Sequence, residues 1–137
     1  MEDAQQHFLG NVAQKAIIER EGKILVCLGI GDSVWEFPGG RLHRGEAPVA
    51  GILREIKEEL GITIRDVKPF RVEPSFHFKS NMEQVFIAYR CTCDDTPLTV
   101  DQTEVQEVKW VTRAELKDLP MFDDCRLVVA ALVEEMV

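Results

Sequence analysis

Glu55, Glu58 and Glu59 stand at the i, i+3 and i+4 spacing that an α-helix gathers on one edge. At about 100° per residue they fall within roughly a quarter-turn. Val49, Ile52, Leu53, Ile56 and Leu60 fill the adjoining sector, as a helix with one buried face requires. Carboxylates grouped in this way repel one another, and Arg54 with Lys57 does not neutralise them. Hard divalent cations, magnesium above all, prefer such oxygen donors and share them with water and phosphate. The spacing alone also fits a solvated charged face, and at this point both readings stand.

The surrounding pattern supplies the elements that must position this edge. A helix is expected from Ala47 to Leu60, with Pro48 in its first turn and Gly61 as a left-handed C-terminal cap. Before it, the segments from Phe8 to Arg20 and from Ile24 to Leu28 read as a β-hairpin turning at Gly22. Val34 to Phe37 reads as a short strand that ends at Pro38-Gly39-Gly40. After the helix, Ile62 to Ile64, Lys68 to Phe78 and Glu83 to Cys93 are expected strands, with Asn81 in a turn. Val105 to Val111 is a further strand, Thr112 to Glu115 a capping box opening a short helix, and Cys125 to Met136 a closing helix. The fold class implied is α/β or α+β, a mixed β-sheet sandwiched between helices, in a single domain over residues 1–137.

Composition narrows the partners. With 24 acidic and 16 basic residues the formal charge is -8, so the surface repels phosphates and carries no basic stripe for nucleic acid. A polyphosphate substrate would have to arrive with divalent cations. The N-terminal residues lack a secretory pattern, and no apolar run approaches the roughly 20 residues that span a bilayer, so the expected location is the cytoplasm, away from membranes. There the four cysteines are expected as free thiols, since no Cys/His spacing completes a zinc site. His7, His43 and His77 are expected at surface or loop positions.

Gly40, Glu46 and the run Arg54-Glu55-Ile56-Lys57-Glu58-Glu59-Leu60-Gly61-Ile62 together match the pattern G-x5-E-x7-R-E-U-x-E-E-x-G-U, in which U is apolar. Chance would produce its seven fixed letters roughly once in 10^8 starting points. The chain thereby resembles the Nudix hydrolases. The resemblance implies a magnesium-dependent pyrophosphohydrolase, with manganese able to substitute, in which water attacks one phosphorus of a metal-bridged pyrophosphate. It implies metal ligation by the Gly40 carbonyl, Glu55, Glu58 and Glu59, with Glu55 ligating or orienting the water. Arg54 would hold the glutamates by charge-assisted hydrogen bonds. Gly39 and Gly40 would let the backbone approach phosphate, and Glu46 would act as a structural cap beside the helix start. The general base varies in the family. Here Glu104 is preferred, with Glu107 expected on a strand surface and Glu55 as a further candidate.

The approach Trp35-Glu36-Phe37-Pro38-Gly39-Gly40-Arg41 resembles the MutT-like branch, which acts on nucleoside triphosphates, and places Arg41 where that branch carries a phosphate-contacting Lys. The expected partner is therefore a small nucleoside polyphosphate, with an oxidised or otherwise modified purine among the options, bound by a monomer or homodimer. Asp123 and Asp124 resemble residues that meet the purine edge. They also suit the N-terminal cap and dipole of the last helix. Phe76 and Phe78 share a strand face and suit either stacking on a base or an ordinary core role. One feature departs from the branch: Leu28-Gly29-Ile30 stands where many members carry a phosphate-contacting Arg. The signatures of the ADP-ribose and diadenosine polyphosphate enzymes are not met either, since Pro74 comes too early and Tyr89 too late. An ADP-ribose or nucleotide-sugar pyrophosphatase is the alternative within this chemistry. A catalytically silent nucleotide-binding module is the alternative outside it.

Overall fold

The computed structural model describes residues 6–136. Its elements in chain order are β1 (Asn11–Arg20), β2 (Lys23–Gly29), β3 (Gly39–Arg41), α1 (Pro48–Leu60), β4 (Ile64–His77), β5 (Met82–Cys93), β6 (Val105–Val111), α2 (Arg113–Leu116) and α3 (Asp123–Glu134). The strands form one six-stranded sheet in the order β4-β5-β1-β2-β6, with β3 also paired to β1. This is the mixed sheet between helices that the sequence implies.

β1 organises the sheet. Glu21 and Gly22 both adopt positive φ, 53° and 76°, which suits a tight turn into β2. The hairpin is paired only next to that turn, at Glu19 with Ile24 and Arg20 with Lys23. Further back β1 runs parallel to β5, from Asn11 beside Gln84 to Ile18 beside Cys91, and antiparallel to β3. A strand buried on both faces needs neighbours on both edges. Side chains alternate across it: Ala13 and Ile17 enter one core with Phe37, Phe86 and Val128, whereas Ala16 and Ile18 enter the other with Ile52, Ile56 and Leu60. α3 therefore covers one face and α1 the opposite one.

Helix α1 begins at Pro48 and ends where Gly61, at φ 69°, donates its N–H to the Lys57 carbonyl at 3.0 Å. The capping box at Thr112 is formed, and Asn81 takes the positive φ expected of its turn.

Two strand assignments need correction. Val34 to Phe37 makes only isolated bridges, Cys27 with Glu36 and Trp35 with Met121, and the strand here is Gly39–Arg41. Gly39 has φ 147°, and a Cβ on it would collide with the Gln14 carbonyl, so the two glycines let the chain join β1 where a break was expected. The separate strands expected at Ile62 to Ile64 and Lys68 to Phe78 are one long strand, β4, that absorbs register shifts between Arg65 and Lys68 and between Pro69 and Arg71.

Candidate active site

The open edge of α1 faces Gly39 and Gly40 in β3. Glu59 is buried, and its Oε1 accepts a hydrogen bond from the Gly39 N–H at 3.1 Å. Burial pushes its carboxyl up to about 8; Lys15 pulls the other way, and Glu55 and Glu36 add to the rise. One turn earlier Glu55 presses its carboxylate on Gly40, so closely that a Cβ there would stand 2.5 Å from Oε2. Burial raises Glu55 as well, against the attraction of Arg54.

Arg54 ties the edge to the preceding loop. Its Nε and Nη2 donate to both oxygens of Glu46, at 2.6 and 3.0 Å, and it also lies 3.2 Å from Glu55 and 3.2 Å from Glu58. Glu46 is not the helix cap. The N-cap is Ala47, without a side-chain cap bond, and Glu46 accepts from the His43 N–H at 3.0 Å and from Arg54. These bonds, the Arg54 bond foremost, lower its carboxyl to about 2.

Glu58 is the outer member, with a side chain 60% exposed. Among the described residues no three His, Cys, Asp or Glu side chains stand close enough to form a metal-holding group, because Glu58 keeps to Arg54 and Glu59 to Gly39. The donor set nevertheless fits a hard cation. Its three carboxylates are all hard oxygen ligands, and burial foremost, with repulsion between the glutamates adding to it, raises the proton affinity of Glu55 and Glu59.

Beside this edge opens a cavity of about 400 Å³, with Gly40, Arg41 and Glu55 on its wall and Glu104 facing them from the loop before β6. Glu107 lies within β6, opposite Leu28 and exposed. Asn11 and His43 line the same cavity; sequence reasoning did not single out Asn11, and expected of His43 only a surface or loop position.

It also missed Lys15. Lys15 Nζ meets Glu36 Oε1 at 3.2 Å; burial lowers its affinity for a proton, but Glu36 and Glu59 outweigh that and hold it charged. The signal was present in the sequence: Gln14-Lys15 interrupts the apolar run from Val12 to Ile18, and a strand buried on both faces has no solvent side for such residues.

The residues expected at a base divide between two faces. Asp124 accepts from Ser75 Oγ at 3.1 Å, on the α3 side of β4. Alternation puts Phe76 on the opposite side, in an edge-to-face pair with Phe78 at 5.1 Å. Phe78 is 85% exposed and Phe76 is exposed too, which overturns the core reading for both. Asp123 and Asp124 occupy the first turn of α3 but do not cap it: the N-cap is Phe122, and Asp123 pairs loosely with Arg126 at 3.3 Å.

The family model for the NUDIX domain matches residues 11–132. The nucleoside triphosphatase NudI of Enterobacter sp. (strain 638) is 30% identical over 125 residues, covering 81% of this chain and 88% of that protein. An RNA pyrophosphohydrolase of Hamiltonella defensa is 29% identical over 66% of this chain and 65% of its own length. Among solved structures, the MutT NUDIX hydrolase from Burkholderia pseudomallei superposes with a TM-score of 0.75 at 22% identity, over 88% of this chain and 95% of that one. The NUDIX domain of Shewanella oneidensis NrtR, solved in complex with ADP ribose, gives 0.76 at 15% identity, over 99% and 94%. The chain belongs to the NUDIX domain family. Within it, the chain is a Nudix hydrolase, an enzyme with named pyrophosphohydrolase relatives.

Proposed function

We propose that this enzyme hydrolyses a nucleoside triphosphate to nucleoside monophosphate and pyrophosphate with magnesium, or manganese, on the α1 edge. The observation that carries the reading is the placement of Glu55 and Glu59 against Gly40 and Gly39 of β3, beside a cavity with Arg41 and Glu104 on its walls. Glu55, Glu58, Glu59 and the Gly40 carbonyl would hold the cation. When bound, it would polarise phosphoryl oxygens and neutralise charge that develops as the anhydride breaks.

The protein's own groups account for the rest. Arg54 fixes the carboxylates and does not touch substrate. Arg41 donates to non-bridging phosphate oxygens; among the described residues that line this cavity it is the one Arg or Lys, in an acidic protein. Glu104 takes a proton from water as the water oxygen bonds to phosphorus, and the P–O bond to the departing pyrophosphate breaks. Asp124, rather than the phenylalanines on the opposite face, meets the base.

The triphosphate preference draws on the NudI relative, which aligns over most of both chains, and on the MutT-like approach to the box. Incubating the enzyme with magnesium and canonical, oxidised and methylated triphosphates should release pyrophosphate and monophosphate from at least one of them. Turnover confined to ADP-ribose or a nucleotide sugar would move the assignment to that substrate class.

A further inference from the structure

The sheet face covered by α3 changes character at the N-terminus of that helix. Beneath α3 it is apolar, with Ala13, Ile17, Phe86 and Ala88. Farther along the same strands, and on the same face by alternation, it carries Asn11, Gln84 and Ser75. Arg41 stands opposite Ala13 in the β1–β3 pair and emerges on this face as well.

Gln84 is only 5% exposed. Its Nε2 donates to Ser75 Oγ at 3.1 Å, and the Ser75 hydroxyl donates onward to Asp124 Oδ2 at 3.1 Å. A hydroxyl has a single proton to give, and here the Asp124 carboxylate takes it. The chain of bonds therefore fixes which way the Gln84 amide points. Its Oε1 is left buried with no hydrogen-bond partner. An apolar residue at this position would avoid the cost of an unpaired amide oxygen, so packing does not explain the glutamine. Gln84 lies beside Asn11 in the β1–β5 register, and Asn11 lines the cavity that holds Arg41 and Glu104.

We infer that Gln84 Oε1 is an acceptor for an exocyclic amino group on the substrate's base, held in register by Ser75 and Asp124. The carbonyl oxygen of a keto base would face that oxygen lone pair to lone pair, so amino bases are selected over their keto counterparts. This deepens the proposed reaction and rests on it for the substrate being a nucleotide.

The test compares matched pairs: ATP with ITP, GTP with XTP, and CTP with UTP. Wild-type enzyme should favour the amino member of at least one pair by about tenfold in kcat/KM, the size of one net hydrogen bond. Gln84→Leu should bring that ratio to near one, chiefly by lowering the rate on the amino member. Ser75→Ala, which frees the amide to rotate, should lower the same ratio and serves if Gln84→Leu fails to fold. A wild-type enzyme indifferent to the amino group in all pairs overturns the inference, and so does a loss in the variants shared equally by both members. Binding of AMP against IMP and of CMP against UMP, measured by calorimetry, separates the two proposals. If no triphosphate is cleaved but the monophosphates are discriminated through Gln84, the base reading stands and the reaction is reassigned. Absence of discrimination there as well overturns both.

Discussion

Arg54 grips Glu46 with two nitrogens, at 2.6 and 3.0 Å, and with a third reaches Glu58 one helical turn away at 3.2 Å. One guanidinium thus fastens the loop after β3 to the edge of α1. Gly39 and Gly40 of β3 and the glutamates of α1 come from segments separated by that loop, so their relative placement depends on this clamp.

Replacing Arg54 by Ala should leave the fold intact by circular dichroism and lower kcat by roughly 100-fold, the scale on which small misplacements of catalytic groups act. Lys should not rescue it, because a single ammonium cannot make the two-pronged contact with Glu46. Steady-state kinetics on the three proteins decide the matter.

Glu104 and Glu107 lie three residues apart in very different settings, one on the cavity wall and one on the exposed side of β6. Glu104→Gln should lower kcat by about 10²-fold or more, as loss of a general base does. Glu107→Gln should leave it unchanged. Equal rates for the two variants would remove Glu104 from the proton transfer.

Glu46 gives a pH signature. Its folded carboxyl is lowered to about 2 by Arg54 and the His43 N–H, below an unfolded value of about 4.3. A depressed acid stabilises the fold above the unfolded value and loses that contribution as pH falls through the folded one. Glu46→Gln should therefore lower the melting temperature at pH 7, by an amount that shrinks toward zero as the pH falls to about 2 and below. Thermal denaturation of both proteins across this range checks the sign.

Two substitutions away from the chemistry calibrate stability. Ile56 is fully buried on the inner face of α1, and its replacement by Ala should cost about 2–5 kcal/mol in urea unfolding. Thr112→Ala, which removes one half of the capping box of α2, should cost about 1 kcal/mol.

Much of this architecture is legible in the chain. The helix from Pro48 to Leu60, its Gly61 cap, the Asn81 turn and the Thr112 box depend on neighbours within a few residues, and local chemistry specifies them. The carboxylate edge is legible for the same reason. Partnership across the sheet is not. That β1 runs parallel to β5 and leaves β2 after two pairs depends on contacts some seventy residues apart, such as Asn11 with Gln84. Lys15, Glu36 and Gln84 gain their surroundings only through that register. β3 is not legible because Pro-Gly-Gly ordinarily ends a strand, whereas here the glycines allow the close approach to Gln14 that forms one.

In the proposed reaction, the α1 edge carries its negative charge in order to hold a divalent cation. Manganese titration followed by electron paramagnetic resonance, on wild type and on Glu59→Gln with a non-hydrolysable triphosphate analogue present, addresses it most directly. Bound manganese in the wild type, with affinity at least tenfold weaker in Glu59→Gln, is the predicted result. Equal affinity in the two proteins, or no bound ion in either, would contradict it.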